Sequence, residues 1–486
     1  MIDSRGHGYQ REKKPLSFWS TLGIIVGIIV LGVPVSMGLS KLMPGNDFDH
    51  ASRILEKDAA AARAAGVPVV ASDIDNGKKV DLADNAAPLI LDAYKKLKGA
   101  TEFSEEQAVD DMSRGDWKSA EIEIAKVAPA LTAAHEAASK TDCDFQLDRD
   151  LGPSLLLPEL AGARNLARTL ADRAVIEAHR GEHGKAAADL RAASKIGGFL
   201  ETEDLIISSL VHSAMESFVT IGAERCMSFA KTPEELKLYL DVLSEPRKIP
   251  DILQILRTEC YSATTIFRNA DAYGDLDKVF NYDEMSSSNA KGVTSATVKR
   301  SGFPDDTKAR AYMARHFEVW TTIITRARGL KDSDAVLKMA DQVIRETTME
   351  KGKSFRLENM ASPVFIGAGK AFTTMDARWN VKTALAKVLL YHADHAAYPK
   401  TLSEAGVTEI DPFDGKPLKY IVSKEGVTVY SIGRDGVDDG GKRQTSSNKP
   451  NDEVASFPPP PIRSPLPTRK QYPYPTQNAK PTKAVH

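Results

Sequence analysis

Leu16 to Leu39 is a run of 24 residues without a single charge. As a helix it rises about 36 Å, enough to cross a hydrocarbon core of roughly 30 Å. Trp19 sits near one end, where indole rings favour the interface, and Pro34 and Gly38 near the other. Arg5, Arg11, Lys13 and Lys14 precede the run, whereas Lys41, Asp47 and Asp49 follow it. The excess of basic residues on the first flank predicts a cytoplasmic segment 1–15, a membrane helix 16–39 and a body outside the cytoplasm. The run is longer than a signal-peptide core, and no Ala-x-Ala site follows it, so an uncleaved anchor in the inner (cytoplasmic) membrane is expected.

The other residues must fold in water. Over 486 residues, 64 basic side chains face 66 acidic ones, so no global field points to nucleic acid. Aromatics are sparse at 7%. Alanine and leucine recur instead, a mixture that favours packed helices over a β-sandwich. Cys143, Cys226 and Cys260 share no metal-ligand spacing. Buried free thiols and a Cys226–Cys260 bridge both fit them.

Residues 49–350 read as an α-helical domain. Asp84 or Asn85 is placed to cap a helix through NAAPLILDAYKKLKG, which Gly99 ends. Pro158 to Leu200 gives the clearest hairpin. Leu160, Ala163, Leu166, Leu170, Ala174 and Ile176 share roughly one face of its first helix, which breaks at Gly181 and Gly184. Ala186, Leu190 and Ala193 then recur at offsets of four and three. That spacing resembles the second half of a tetratricopeptide repeat, in which small residues let helices approach closely. Further helices are expected at Asp204–Phe229, Asp251–Phe267, Asp305–Arg328 and Ser333–Thr348, with a capping box at Thr232 and Glu235. Ser286 to Gly302 reads as a surface loop.

Residues 371–441 change pattern. A helix with Val381, Leu385 and Val388 on one face ends before Tyr398-Pro399. The turn DPFDGKP follows, then a strand LKYIV, a turn SKEG and an alternating strand VTVYSI, which predict a small α+β module with antiparallel strands. Tyr398, Pro399, Asp411, Pro412, Gly415, Tyr420, Tyr430, Ser431, Gly433, Asp435 and Gly436 fall in an order that resembles the globular end of the major pseudopilin of type II secretion. The span at the amino end lacks the glycine and glutamate of a prepilin peptidase site. The whole layout also resembles a set of uncharacterised membrane-anchored proteins of planctomycete-like bacteria, which implies architecture and envelope location only.

The pseudopilin resemblance implies calcium in the loop after the last strand. Asp435, Asp438 and Asp439 would supply carboxylates and Ile432 a backbone carbonyl. A solvated acidic turn held by Asx hydrogen bonds explains the same residues. His392 and His395, like His179 and His183, read as surface histidines, and Glu105, Glu106, Asp110 and Asp111 as solvated helix faces. Residues 442–486 are proline-rich, with eight Lys/Arg against Asp452 and Glu453. They read as a disordered tail able to rest on anionic lipid or cell-wall polymer. The functional expectation is a non-enzymatic, single-pass envelope scaffold or partner-binding protein. Two alternatives stay open: an accessory part of a secretion system, and an envelope enzyme with its site between the helical body and the C-terminal module.

Overall fold

The fold is mainly helical because most segments pair an apolar stripe with a local start signal. In the computed structural model, residues 48–74, 80–273, 293–330, 332–350, 356–443 and 452–463 are described. The expected membrane helix lies outside them. Helices α1 to α5 span Phe48–Ala64, Ala87–Gly99, Glu105–Ser113, Trp117–Ala125 and Ala128–Ala138. The hairpin follows as α6, Pro158–His179, and α7, His183–Phe199, then α8, Ile206–Met227, α9, Pro233–Ser244, and α10, Ile252–Arg268. After these come α11, Thr307–Ala327, α12, Ser333–Glu350, and the forty-residue α13, Arg356–His395. The short helices α3 to α5 are an addition to the sequence reading.

Several starts follow the chemistry of the sequence. Asn85 accepts the Ala87 N–H at 3.0 Å and also ties the chain to Asp144 through two further hydrogen bonds. Thr232 and Glu235 form the expected capping box. Asp251 and Asp306 cap α10 and α11. Gly181, at φ 81, makes the reversal between α6 and α7, while Gly184 lies inside α7.

Two hydrophobic cores result. The first joins α2 to α9 with the C-terminal half of α13 and, from the sheet, Val427, Val429 and Ala455. The second joins α1, α10, α11, α12 and the N-terminal part of α13. Two helices pass through both. On α8, Ile206 and Leu210 belong to the second core, and Val211, Met215, Val219 and Ala223 to the first. On α13, Phe365, Ala368 and Phe372 sit in the second core, and Met375, Trp379, Leu385 and Val388 in the first. Helix α8 is also the one described helix long and apolar enough to cross a membrane, but here most of it is buried in protein.

Strands β1, Lys419–Ser423, β2, Gly426–Ser431, and β3, Glu453–Phe457, form an antiparallel sheet in the order β1-β2-β3. Ser423 pairs with Gly426 across a two-residue turn, and Val429 pairs with both Tyr420 and Ala455. The expected antiparallel strands form, with two corrections. The boundary expected at 371 falls inside one helix. The tail expected to be disordered from 442 supplies β3, because Val454 and Ala455 bury against the helices and complete the sheet. Composition hides this strand: it is five residues between proline-rich and polar neighbours, and its pairing is long-range.

The three cysteines are buried free thiols, and Cys226 and Cys260 lie in different cores, so the bridge between them does not form.

Candidate functional site

The Asp/Gly loop is held together from two buried carboxylates. Asp411 accepts the Ser431 hydroxyl at 2.8 Å, the Ile432 N–H at 2.8 Å and the Phe413 N–H at 2.9 Å, which fixes the DPFDG turn to the end of β2. Asp452, just before β3, accepts the N–H groups of Gly441 at 2.7 Å and Asp439 at 3.3 Å. Gly440 and Gly441 both have φ near +74 and so allow those amides to turn inward. Asp452 was assigned to the tail, so its part in the loop was not foreseen.

Two of the expected calcium ligands, Asp435 and Asp438, accept hydrogen bonds within the module. Asp435 accepts the Val437 N–H at 3.2 Å, an Asx turn. Asp438 accepts the Gly440 N–H at 3.0 Å and the Tyr430 hydroxyl at 3.1 Å, with Lys419 at 3.5 Å. The Gly440 N–H first, then Tyr430 and Lys419, hold the Asp438 carboxyl below the usual range. Burial and Asp438 push the Tyr430 phenol up to about 12. Ile432 is buried and gives its N–H to Asp411. Among the described residues no three His, Cys, Asp or Glu side chains converge to hold a metal ion.

The junction between helices and sheet carries a buried charge cluster. Glu224 on α8 accepts Lys382 of α13 at 2.7 Å, the Ser456 N–H of β3 at 2.8 Å, and Arg443. The Lys382 ammonium also donates to the Val454 carbonyl at 2.6 Å. Arg378, one turn earlier, donates to Glu453 at 2.8 Å and to Ser217 of α8 at 2.8 Å. Burial pushes the Glu224 carboxyl up, but Lys382 and Arg443 outweigh it and hold it below its ordinary value. The arrangement is a clamp: α8, α13 and β3 are joined through one ionised carboxylate.

Where the two cores meet lies a second polar cluster. His212 of α8 is fully buried, with Nδ1 2.6 Å from Glu201 Oε1 and Nε2 3.0 Å from Glu216 Oε1. Ser209 donates to Glu201 at 2.6 Å and Ser194 to Glu216 at 2.9 Å. Nearby, Ser208 donates to Glu203, and Arg149 donates to the Glu203 carbonyl at 2.8 Å. Burial pushes the Glu203 carboxyl up to about 8 and that of Asp204 to about 6. Asp204 itself is left-handed, at φ 52, a conformation that aspartate tolerates better than most residues. The hydroxyls here donate to carboxylates and both nitrogens of His212 face carboxylates, so the cluster orders charge and does not activate a serine.

Other expected positions are placed as follows. His183 is buried and bonds Tyr239 at 2.7 Å, contrary to the surface reading, because α9 folds back over the hairpin turn. His179 stacks on Trp117 and His392 on Tyr398. Asp111 is buried and paired with Arg114 at 2.6 Å, and Glu105 is paired with Arg168. The polar clusters on α8 had a signal in the sequence. His212, Glu216, Thr220 and Glu224 recur every four residues along α8, and all four are buried.

Comparison with family models, with curated proteins and with solved structures finds no match to this chain.

Proposed function

We propose that the chain is a single-pass protein of the inner (cytoplasmic) membrane, with residues 1–15 in the cytoplasm and a non-enzymatic body outside it that serves as a scaffold for an envelope partner. The observation that carries the reading is the sharing of α8 and α13 between two cores and a sheet, with Glu224 paired to Lys382 and Arg443 at the junction. Such a body transmits position and offers surface. The uncharged span 16–39 and its basic flank support the anchor, and the tetratricopeptide-like spacing of α6 and α7 supports partner docking. A reporter fused behind residue 45 tests the placement. Periplasmic-type activity supports it, and cytosolic fluorescence sinks it. Crosslinking in intact cells followed by pull-down then tests the scaffold, which fails if the chain is recovered alone.

The pseudopilin-like order from Tyr398 to Gly436 favours one variant of this reading, an accessory part of a secretion system. Co-purification with secretion-platform proteins would support that variant. Calcium at Asp435, Asp438 and Asp439 belongs to the same proposal, and binding would require Asp438 to leave Tyr430, Gly440 or Lys419. Calorimetry of the full chain with millimolar calcium decides it: heat together with a raised melting temperature supports the site, and neither removes it. The basic residues beyond β3 are proposed to meet anionic lipid or cell-wall polymer. An enzyme at the junction is the remaining alternative. It is favoured only by the polar side chains that meet there, and these are already paired.

A further inference from the structure

We propose that His212 is a proton-held latch joining the two cores at the point where the chain passes from one to the other, closed while its ring carries both N–H protons. The geometry requires the two protons. Each ring nitrogen faces a carboxylate oxygen, at 2.6 Å and 3.0 Å, and a carboxylate only accepts. A neutral ring would turn a lone pair toward one of these oxygens.

The latch is placed to matter. Glu201 lies in the 3-10 turn Leu200–Glu203 between α7 and α8, and Glu216 lies one turn beyond His212 on α8. Leu200 belongs to the first core, Ile206 to the second, and Val211 again to the first. The ring therefore fastens the reversal at which the chain changes cores. Helix α7 is shaped around it, since a Cβ on Gly197 would come within 2.9 Å of His212 Cδ2.

The two facing carboxylates, Glu201 and Glu216, favour the closed state. The reversal itself brings Glu201, Glu203 and Asp204. From α10, Glu259 accepts the Ile206 N–H at 3.0 Å, and from α13 Arg378 reaches Ser217. Helix α6 brings Asp172 toward Arg225, α9 brings Tyr239 to Cys226, and α7 presents Ser194 and Gly197. Arg149 also lies at the reversal, against Glu203, whose own carboxyl is pushed up to about 8 by burial. Burial pulls the imidazole toward neutrality, but the hydrogen bonds to Glu201 and Glu216 outweigh it and push its pKa up to about 9. A histidine raised in this way stabilises the fold fully below its unfolded value of about 6.5, and that contribution is lost as pH rises through about 9.

Amide hydrogen exchange of the full chain in detergent, corrected for intrinsic rate, tests the latch. Protection of peptides covering 200–217 should fall by about tenfold per pH unit between about pH 6.5 and 9, then level off, while α11 stays protected. In Glu216→Gln or Glu201→Gln the fall should level off about one pH unit lower. Ser194→Ala, which removes a neutral donor, should leave the levelling point in place. The proposal is overturned if 200–217 opens only together with α11, or if its protection is flat through pH 10. It is equally overturned if both glutamine variants keep the wild-type levelling point. The wild-type profile alone decides if neither variant folds.

Discussion

The two cores are built from different side chains. The first is dominated by alanine, with Ala163, Ala167, Ala174, Ala186 and Ala193 packed among a few leucines along α6 and α7. The second relies on Phe267, Phe317, Trp320, Phe365 and Phe372. Small residues let helix backbones approach, so the first core is sensitive to added volume. Large rings fill space between more widely set helices, so the second is sensitive to lost volume. Both tolerances follow from the same close packing, approached from opposite sides.

Mutations sharpen this contrast, in descending order of expected effect. Phe317→Ala in the second core should destabilise by about 3–5 kcal/mol in denaturant unfolding, since the ring is fully buried. A loss below about 1 kcal/mol would mean that the second core is loosely packed. Gly222→Val in the first core should cost about 1–3 kcal/mol. A Cβ there already comes within 2.9 Å of Leu190 and 3.5 Å of Ala171. Little or no cost would show that the alanine core has room to spare.

The cores should also differ in their response to pH. In the first core's helices, burial pushes Asp172 and Glu177 up to about 7, and Glu203 at the boundary is pushed up to about 8. Carboxyls raised in this way stabilise the fold below their unfolded value of about 4, and that contribution is lost as pH rises through the folded value. Melting temperature should therefore decline between about pH 5 and 8. Asp172→Asn should flatten the decline, whereas Phe317→Ala should shift the whole curve without flattening it. The smallest effect is expected from Thr232→Ala, about 1 kcal/mol from loss of the capping box, read in the same unfolding assay.

What was legible in the sequence followed the range of the interactions. The hairpin Pro158–Phe199, the cap at Thr232 and the strands Lys419–Ser423 and Gly426–Ser431 are specified by neighbours a few residues apart, and their positions could be read directly. Strand Glu453–Phe457 was not legible, because what holds it is Lys382, Glu224 and β2, all distant in sequence. The same holds for α13. Its apolar pattern serves one core up to Phe372 and the other from Met375, so a single amphipathic face could not describe it. The loop Asp435–Gly441 was legible as an acidic turn, but the carboxylates that organise it are Asp411 and Asp452. The four-residue polar spacing along α8 was available and marks both charged clusters. Its meaning depends on burial, which the apolar residues of α8 implied only once its neighbours were known.

The central claim is that α8 and α13 bind both cores and the sheet into one cooperative unit. Equilibrium unfolding with Trp320 as the sole reporter of the second core, and separately with Trp379 as the sole reporter of the first, tests it most directly. Coincident transitions with the same midpoint and slope are expected. Two separated midpoints, with either core melting while the other stays folded, would contradict it.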